Sequence, residues 1–454
     1  MHSTRAKYLL IILMFFCSCD LAPQYHAPNL NMPVSWQKAA ATSQAKMIIG
    51  WWQEFNDSYL NSLVSTALEN NADILIAYQN IKKAEAYSRQ SKSFLFPSIS
   101  AVGTIDKGKP DTNTNLNINS LAANLSYEID LFGKIKNTNK VALSRLNMVK
   151  NTADTIKIAV ASRVVIAYFH LLALQQNLII AQKILTNQQN MHLLLQAQYR
   201  EGDLEKIVLD EAKKDLIEIK RQKIDLEKQV AIQKNSLNVL VGKSPHEIIE
   251  AKVDTSKSFL DITVPKIIAV MPDQLLAQRP DIIAAEQKLR AANYNIGAVK
   301  ADYLPDISLN TMIGVSNSRL ASGNVNGWDA NMGFSMPIID FGRIDAKIRL
   351  AKAEKEIALL QYLQTVREAV GEVLDSMKLV QIAARDIDLV KSSDIAMRSY
   401  NNIMQTKYKI GKITQIAALT AKQKYLAEHM KLIQSKNNQL IAAVMLSQAF
   451  GRLN

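Results

Sequence analysis

Two long stretches of the chain have the residue pattern of a coiled-coil helix. Residues 134–200 and 343–408 contain no proline and, apart from Gly371, no glycine. At about 1.5 Å per residue, a helix of this length extends roughly 100 Å, which no compact domain needs. In the second stretch apolar residues follow the three-and-four spacing of a left-handed coiled-coil seam: Leu363, Val366, Val370, Val373, Met377, Val380, Ala384 and Ile387. The first stretch is less regular, and the pattern alone also fits the core of an ordinary helical bundle.

Four shorter segments alternate imperfectly between apolar and polar residues, which predicts strands. They are residues 98–106, 121–131, 306–316 and 328–339. Stretches rich in Gly, Ser, Asn or Pro separate the members of each pair, so we predict two hairpins. Each strand is about ten residues long, the length that a tilted strand needs to cross a bilayer. Aromatic residues lie near the strand ends, as in a membrane girdle, although soluble sheets also carry them there.

The chain contains an internal duplication at an offset of 208 or 209 residues. Five ordered motifs recur at this offset: Asp73-Ile74 with Asp281-Ile282, Phe96-Pro97 with Leu304-Pro305, Phe132-Gly133 with Phe341-Gly342, Tyr199-x-x-Gly202 with Tyr408-x-x-Gly411, and Gly242 with Gly451. Residues 58–242 and 273–451 are therefore predicted to be two copies of one unit, joined by a linker at 243–272.

Each copy is predicted to contain a helix, a strand pair, a long helix and a second helix. In the first copy the strand pair covers 98–131, the long helix 134–200 and the second helix 203–242; in the second copy these are 306–339, 343–408 and 412–450. Tyr199, Gly202, Tyr408 and Gly411 mark the points where the chain turns from one helix to the next, because glycine commonly ends helices. Two strand pairs cannot close a barrel, so this arrangement requires oligomerisation.

The N-terminus has the features of an export signal. Arg5 and Lys7 precede a short apolar run that is too short to span a bilayer permanently, which predicts a signal peptide over residues 1–18. Cys19 follows as the candidate acylated first residue of a lipoprotein, with residues 19–57 as a lipidated lead segment; the alternative is an incidental cysteine in a discarded signal. Asp20 is unexpected there, because an acidic residue at that position tends to hold enteric lipoproteins at the inner membrane.

No later segment satisfies the requirement for a membrane-spanning helix, because the most apolar one, Ile158–Leu174, is interrupted by Arg163 and His170. A membrane would therefore be crossed by strands. The net charge of +13 for 454 residues falls to +11 when the signal is removed, and it is spread over Lys-rich helical patches. We interpret it as a solvated outer face rather than a nucleic-acid surface.

The sequence offers no catalytic or cofactor chemistry. The six histidines have no metal-ligand spacing, and Gly242-Lys243-Ser244 lacks the earlier glycine of a phosphate loop. There is no GxSxG nucleophile elbow. We therefore expect neither an enzyme nor a metal or cofactor site.

Several further motifs point to one family. They are Cys19-x-Leu21-x-Pro23-x-Tyr25-x-x-Pro28, Trp51-Trp52-x-x-Phe55, Asp130-Leu131-Phe132-Gly133, Asp340-Phe341-Gly342 and Arg279-Pro280-Asp281-Ile282. With their order and the repeat period, the chain resembles the TolC-like outer-membrane efflux proteins over nearly its whole length, and in particular the OprM-like lipoprotein branch.

The resemblance implies a mainly α fold with a β-barrel portion. Three subunits would contribute four strands each to a twelve-stranded outer-membrane barrel, continued by a helical tunnel through the periplasm. A periplasmic adaptor (membrane fusion protein) and an inner-membrane efflux pump would be the partners of this passive duct for drugs, metals or other solutes, with outer-membrane lipid around the barrel.

The resemblance also implies an aperture at the periplasmic tip, where carboxylates can narrow and charge the tunnel. Tyr408 precedes the second turn, but Ala417 and Thr420 stand where relatives place an acidic residue. Asp210 and Glu211 of the first copy are then the candidate acidic ring. The alternative is that they are ordinary solvated helix carboxylates.

Two other functions stay open. A periplasmic coiled-coil lipoprotein could bridge the envelope layers without transport, and Asp20 gives that alternative some support. An adaptor, however, would need only one helical hairpin, whereas this chain duplicates both hairpin and strand pair. A nucleic-acid binder is disfavoured by the signal peptide.

Overall fold

The structure is a computed structural model, and its described residues are 20–30, 50–108, 116–250, 259–265, 272, 275, 278–318 and 323–451. The chain divides into two compact units. Unit 1 comprises residues 1–31, 79–152 and 281–365, and unit 2 comprises residues 32–78, 153–280 and 366–454.

Helices make up most of the described chain, and four strands lie between them. In chain order these are α1 (Ser58–Asn70), α2 (Ala72–Ser93), β1 (Ser98–Gly108), β2 (Leu116–Ile129), α3 (Lys134–Arg200), α4 (Lys206–Val241), α5 (Pro245–Glu250), α6 (Pro280–Lys300), β3 (Asp306–Ser318), β4 (Gly323–Ser335), α7 (Arg343–Lys409) and α8 (Gln415–Ala449). Short 3₁₀ turns lie at Trp51–Phe55, Phe259–Asp261 and Ala301–Tyr303.

The strands of unit 1 form a single antiparallel sheet in the order β1-β2-β3-β4. The two predicted hairpins are joined because β2 pairs with β3, with Ile129 opposite Ile307. β1 and β3 begin where predicted and end two residues later, at Gly108 and Ser318, whereas β2 and β4 differ from the prediction by up to five residues at a limit. β2 begins at Leu116 instead of 121, because Leu116–Ser120, which include the polar residues Asn117, Asn119 and Ser120, pair with β1 through their backbone. β4 lies at 323–335 instead of 328–339. It ends before Pro337, which has no N–H for a ladder, and it begins earlier because Gly323–Gly327 pair with β3.

The predicted first helix of copy one is divided at Asn71, whose backbone is extended (φ −63°, ψ 130°). Its side-chain oxygen accepts a hydrogen bond from the Asp73 N–H at 2.9 Å, and its amide donates to the Leu240 carbonyl at 2.8 Å. Arg279 occupies the same place in copy two and donates to the Ala449 carbonyl at 2.7 Å. The two copies therefore cap equivalent helix ends with different side chains.

The core of unit 2 explains the most apolar part of α3. One window of this helix is apolar enough, and long enough, to cross a membrane, so the prediction that no later segment qualifies was wrong. Two-thirds of that window is buried inside the protein. Tyr168 and Phe169 pack there against Phe55, with Phe55 and Phe169 ring centroids 5.0 Å apart. Protein packing accounts for the apolar residues, because large aromatic side chains are strongly stabilising when buried.

Candidate functional site: the sheet wall and the helical tips

The sheet in unit 1 has one apolar face. Strand pairing brings alternate residues of all four strands onto that face. Its apolar residues are Ile99, Ala101, Ile105, Leu121, Ala123, Leu125, Tyr127, Ile129, Ile307, Leu309, Ile313, Val315, Trp328, Ala330, Met332 and Phe334, interrupted by Thr311 and followed toward the hairpin ends by Asn119, Asn317 and Asn326. Many are open to the surroundings, with Trp328 77% and Phe334 81% exposed. From Ile129 to Leu121 the apolar band extends about 27 Å along the strand. At a tilt of about 40° this gives a height of roughly 21 Å, close to the apolar band about 25 Å tall of outer-membrane barrels.

The opposite face of the sheet is mostly polar. It carries Ser98, Ser100, Thr104, Asp106, Ser120, Asn124, Ser126, Ser308, Asn310, Ser316, Asp329 and Asn331, interrupted by Val102, Ile118, Met312 and Val325. Gly314 lies on this face, where an added Cβ would approach the Ala122 Cβ to 2.7 Å. Glycine is therefore required there for close packing between β2 and β3.

Such a two-faced sheet suits a wall between lipid and water, because hydrocarbon selects the apolar face and a water-filled interior the polar one. β1 and β4 are the outer strands of the sheet, and each has a neighbour on one side only. Unpaired strand edges are not tolerated in the hydrocarbon region, so further strands must complete the wall.

The two tip turns in unit 2 have the same geometry. After α3 the Gly202 N–H donates to the Tyr199 carbonyl at 3.1 Å and the Asp203 N–H to the Gln198 carbonyl at 2.9 Å. After α7 the corresponding bonds join Gly411 to Tyr408 and Lys412 to Lys407, both at 2.9 Å. Both glycines have positive φ, 87° and 73°. This backbone conformation explains the glycine of each Tyr-x-x-Gly motif.

The helices that follow the turns begin slightly later than predicted, α4 at Lys206 and α8 at Gln415. Asp210 and Glu211 are both exposed on α4. Tyr408 is exposed, and the Thr420 hydroxyl donates to the Ile416 carbonyl of its own helix at 2.9 Å. The carboxylates of Asp210 and Glu211 are thus open to solvent, whereas the Thr420 hydroxyl proton is engaged in a hydrogen bond within α8.

The two turns carry opposite net charges, whereas the sequence-based prediction considered only the acids of the first turn. Residues 198–211 contain five acidic and two basic side chains, a net charge of −3. The equivalent residues 407–420 contain three lysines and no acid, a net charge of +3. Aligning the two copies residue by residue would have revealed this charge difference.

Residues 20–30, the first described part of the predicted lead segment, contact the start of α3 and one face of α6 in unit 1. The Asp20 carboxylate accepts from Lys140 Nζ at 2.5 Å and from the buried Asn137 amide at 2.9 Å. Burial alone would raise the pKa of Asp20, but the hydrogen bonds from Lys140, Asn137 and the Ala22 N–H lower it to about 2. Asp20 therefore holds the segment against the start of α3. Cys19 itself lies outside the described residues.

One face of α6 contacts this segment at Pro23 and Tyr25. Asn293 donates to the Pro23 carbonyl at 2.7 Å, Tyr25 donates to Glu286 at 3.1 Å, and the Arg290 guanidinium lies 4.9 Å from the Tyr25 ring centre. Burial, followed by the Glu286 charge, raises the pKa of the Tyr25 phenol to about 12. The motif residues Pro23 and Tyr25 are thus contact residues. Among the described residues, no group of three or more His, Cys, Asp or Glu side chains is arranged to hold a metal.

Comparison with known proteins agrees with this architecture. Residues 63–243 and 271–452 match the family model of outer membrane efflux proteins. The chain is 26% identical to the antibiotic efflux pump outer membrane protein ArpC of Pseudomonas putida, covering 99% of this chain and 96% of ArpC. It is also 26% identical to the cation efflux system protein CusC of Escherichia coli, covering 97% of both.

Two solved structures share the fold. The CmeC outer membrane channel of Campylobacter jejuni superposes with a TM-score of 0.84 at 22% identity, covering 96% of this chain and 95% of CmeC. The open-state MtrE outer membrane channel of Neisseria gonorrhoeae gives 0.83 at 21% identity, covering 96% and 98%. Because the family model spans most of both copies, this chain belongs to the outer membrane efflux protein family.

Proposed function

We propose that three copies of this outer membrane efflux protein close into one passive duct, fed by a periplasmic adaptor and an inner-membrane pump. Three sheets of four strands give an all-antiparallel ring of twelve, because β4 of one copy runs opposite to β1 of the next. The observation that carries the proposal is the sheet itself, with one apolar face, one polar face and two free edges.

The helices of unit 2 support the same closure. α4 and α7 each leave a stripe of apolar side chains exposed at about heptad spacing. The stripe on α4 contains Ile217, Ile224, Ile232 and Val239, and the stripe on α7 contains Ile382, Leu389 and Ile403. Large exposed apolar stripes are typical of interfaces. Packing α4 of one copy against α7 of the next would cover both and close a tunnel of helices.

We expect the pump, and not the duct, to determine which solutes are transported. ArpC is named for antibiotic efflux and CusC for cation efflux. We propose that this chain conducts drugs or other solutes that its pump selects, with no catalytic step of its own. A bridging lipoprotein would not need the segregated faces of the sheet.

Cys19 is proposed as the lipid anchor. The docked lead segment begins at the next residue, so an acyl chain on Cys19 would leave the protein beside the start of α3. α3 begins directly after β2 ends at the base of the sheet. An anchor at this point would insert into the leaflet facing the periplasm.

The exposed acids Asp210 and Glu211 are proposed to line the tip aperture, with Tyr408 and Thr420 beside them. Three copies would bring six carboxylates close together and attract cations by their local field. Asp210→Ala with Glu211→Ala is expected to lower cation over anion selectivity about twofold in planar bilayers. Asp215→Asn, which removes one charge further along the same helix, serves as the control, and unchanged selectivity of the double variant would contradict the ring.

Deletion of the gene, followed by growth tests with antibiotics, detergents and metal salts, tests the duct. We expect increased sensitivity to at least one class, restored by the wild-type gene. Membrane fractionation and semi-native gels of the same cells should show an SDS-resistant trimer in the outer membrane. A monomer confined to the inner membrane would contradict the proposal.

A further inference from the structure

The two junctions between a strand and a long helix are equivalent in the repeat but differ in exposure. In the first junction (residues 129–133) every residue is buried or half-buried. In the second junction (residues 338–342) Ile338 is 89% exposed and Phe341 is 99% exposed. Exposed apolar segments of this kind are typical of contact surfaces.

The second junction is folded to hold its aromatic ring outward. The Asp340 carboxylate accepts hydrogen bonds from the Gly342 N–H at 3.0 Å and the Ile344 N–H at 2.8 Å. Phe341 between them has φ 54°, a left-handed conformation that non-glycine residues adopt only at a cost of about 1–3 kcal/mol. Phe341 is 99% exposed, so none of the described residues packs on the ring and offsets the strain, which points to a role in contact.

The first junction shows what covers such a segment. Lys134, directly after it, lies 3.1 Å from an Asp306 oxygen and 3.5 Å from an Asp302 oxygen, both at the entry to β3. Ile129 in the same junction pairs with Ile307 in the sheet. Within one chain, therefore, the first junction, which belongs to the first repeat, packs against the entry to β3 (residues 302–306), which belongs to the second repeat.

The repeat identifies the equivalent surface for the second junction. The offset of 208 relates the entry to β3 to the entry to β1, where Phe94 and Phe96 are 60% and 62% exposed. Both segments lie at the same end of the sheet, because β1 begins and β4 ends there, but they flank its two opposite edges. These two segments of one chain cannot meet each other. The second junction of one subunit can, however, contact the entry to β1 of a neighbouring subunit.

We propose that the second junction packs against the entry to β1 (residues 94–98) of a neighbouring subunit, forming an apolar seam at the base of the barrel. This inference rests on the proposed ring of three subunits and identifies a contact surface between them. The offset of 209 relates Ile129 to Ile338, and the offset of 208 relates Ile307 to Ile99. The observed pair Ile129 and Ile307 within one chain is thus equivalent to Ile338 of one subunit with Ile99 of the neighbouring subunit. Both of these side chains are strongly exposed, and Ile99 lies on the apolar face of the sheet.

The seam between copies differs chemically from the seam within a chain. Arg343 takes the place of Lys134, but Phe94 and Ser98 stand where Asp302 and Asp306 would provide carboxylates. The contact within the chain is therefore ionic, whereas the contact between chains is apolar. An apolar seam is less sensitive to salt, because ionic strength screens exposed ion pairs.

Disulfide trapping in outer membranes tests the seam. Ile129 and Ile307 are directly opposed in antiparallel strands, where Cα atoms lie about 4.5–5.5 Å apart, within the range that a disulfide bridges. Ile338 lies three residues beyond the end of β4, so a disulfide with Ile99 would require the same close approach at the seam. The full-length chain with Ile99→Cys and Ile338→Cys is expected to give reducible dimers and trimers on oxidation. A second pair, Phe96→Cys with Phe341→Cys, is expected to do the same with a short bismaleimide.

Ile129→Cys with Ile307→Cys is the matched control, because these residues are partners within one chain and should yield only a compact monomer. Ile99→Cys with Phe334→Cys is the second control, because Phe334 lies within β4 four residues before Ile338, a displacement of up to about 13 Å, and it should not cross-link. Only monomers from both test pairs, with the intrachain control oxidised, would overturn the seam. So would reaction of Ile338→Cys with a lipid-dissolved maleimide as fast as Ile313→Cys, since the segment would then face lipid. Retained drug resistance in such cells would show that the duct proposal survives the failure.

Discussion

The second helices of the two copies, α4 and α8, occupy the same place in the repeat but differ in burial. Four residues of α4 are buried, against fifteen residues of α8. On α4, Ile217, Ile224 and Ile232 remain exposed. The duplication has therefore kept the backbone plan while the two surfaces have diverged. α8 completes the core of its own chain, and α4 retains apolar surface for a neighbour.

The largest expected effect is on the exposed stripe of α4. Ile224→Glu would bury an unpaired carboxylate between neighbouring subunits of the trimer, and an unpaired buried charge costs about 3–5 kcal/mol. We expect loss of the SDS-resistant trimer on semi-native gels. Gln222→Glu adds the same charge to an exposed position of the same helix and should leave the trimer intact. A stable Ile224→Glu trimer would show that α4 faces solvent.

The next effect concerns the capped helix ends. Arg279 is 7% exposed, donates to the Ala449 carbonyl and lies 2.8 Å from Glu372, whereas Asn71 donates to Leu240 without a charge. Arg279→Met should cost about 2–3 kcal/mol of unfolding free energy and Asn71→Ala about 1 kcal/mol, because charged hydrogen bonds contribute more. Thermal unfolding in detergent measures both, and equal losses would contradict the asymmetry.

A buried lysine gives a smaller effect of opposite sign. Lys436 of α8 is 7% exposed, whereas the equivalent Glu227 of α4 lies at the surface. Burial, and then the positive charge of Lys391, lowers the pKa of Lys436, and Asp261 offsets this only in part. Lys436→Met should raise the unfolding free energy by about 1 kcal/mol at pH 7, because it removes a buried charge.

The pH dependence of that gain follows from the sign of the shift. The folded chain binds the Lys436 proton less firmly than the unfolded chain, so wild-type stability rises as the pH approaches the ordinary lysine value. The advantage of Lys436→Met should therefore shrink with rising pH. Lys220→Met on the exposed surface of α4 should change stability by less than about 0.5 kcal/mol at any pH.

The smallest effect is at the lead segment, which only the first copy possesses. The pKa of Asp20, lowered to about 2, means that its contribution is complete above the unfolded pKa near 4 and is lost as the pH falls through about 2. Asp20→Asn should cost less than about 1 kcal/mol, since the ion pair with Lys140 is partly exposed. Faster proteolytic release of residues 20–30 from Asp20→Asn would measure it. Equal release rates at pH 7 would contradict the docking role.

Much of this fold could be predicted from the sequence, because its signals are local. The absence of proline marked the 67-residue helices α3 and α7, and Tyr-x-x-Gly marked both turns. The division at Asn71 was not predicted, since it depends on a long-range hydrogen bond to Leu240. The early start of β2 was missed because backbone pairing can extend a strand through polar residues.

The candidate site was predicted less completely. Asp210 and Glu211 were chosen by their distance from Tyr199, and the structure places both on the exposed surface of α4. The polar face of the sheet was missed, because alternation was imperfect along each strand and becomes clear only across the register of all four. Exposure of the second junction depends on tertiary packing, which no local pattern specifies.

Labelling of two adjacent cysteine positions tests the wall of the duct most directly. Asn124 lies on the polar face of β2 and Leu125 on the apolar face. In intact cells, a charged, membrane-impermeant maleimide should react with Asn124→Cys at least about tenfold faster than with Leu125→Cys, because water fills the interior and lipid covers the outside. Equal rates, or faster reaction of Leu125→Cys, would contradict a water-filled barrel.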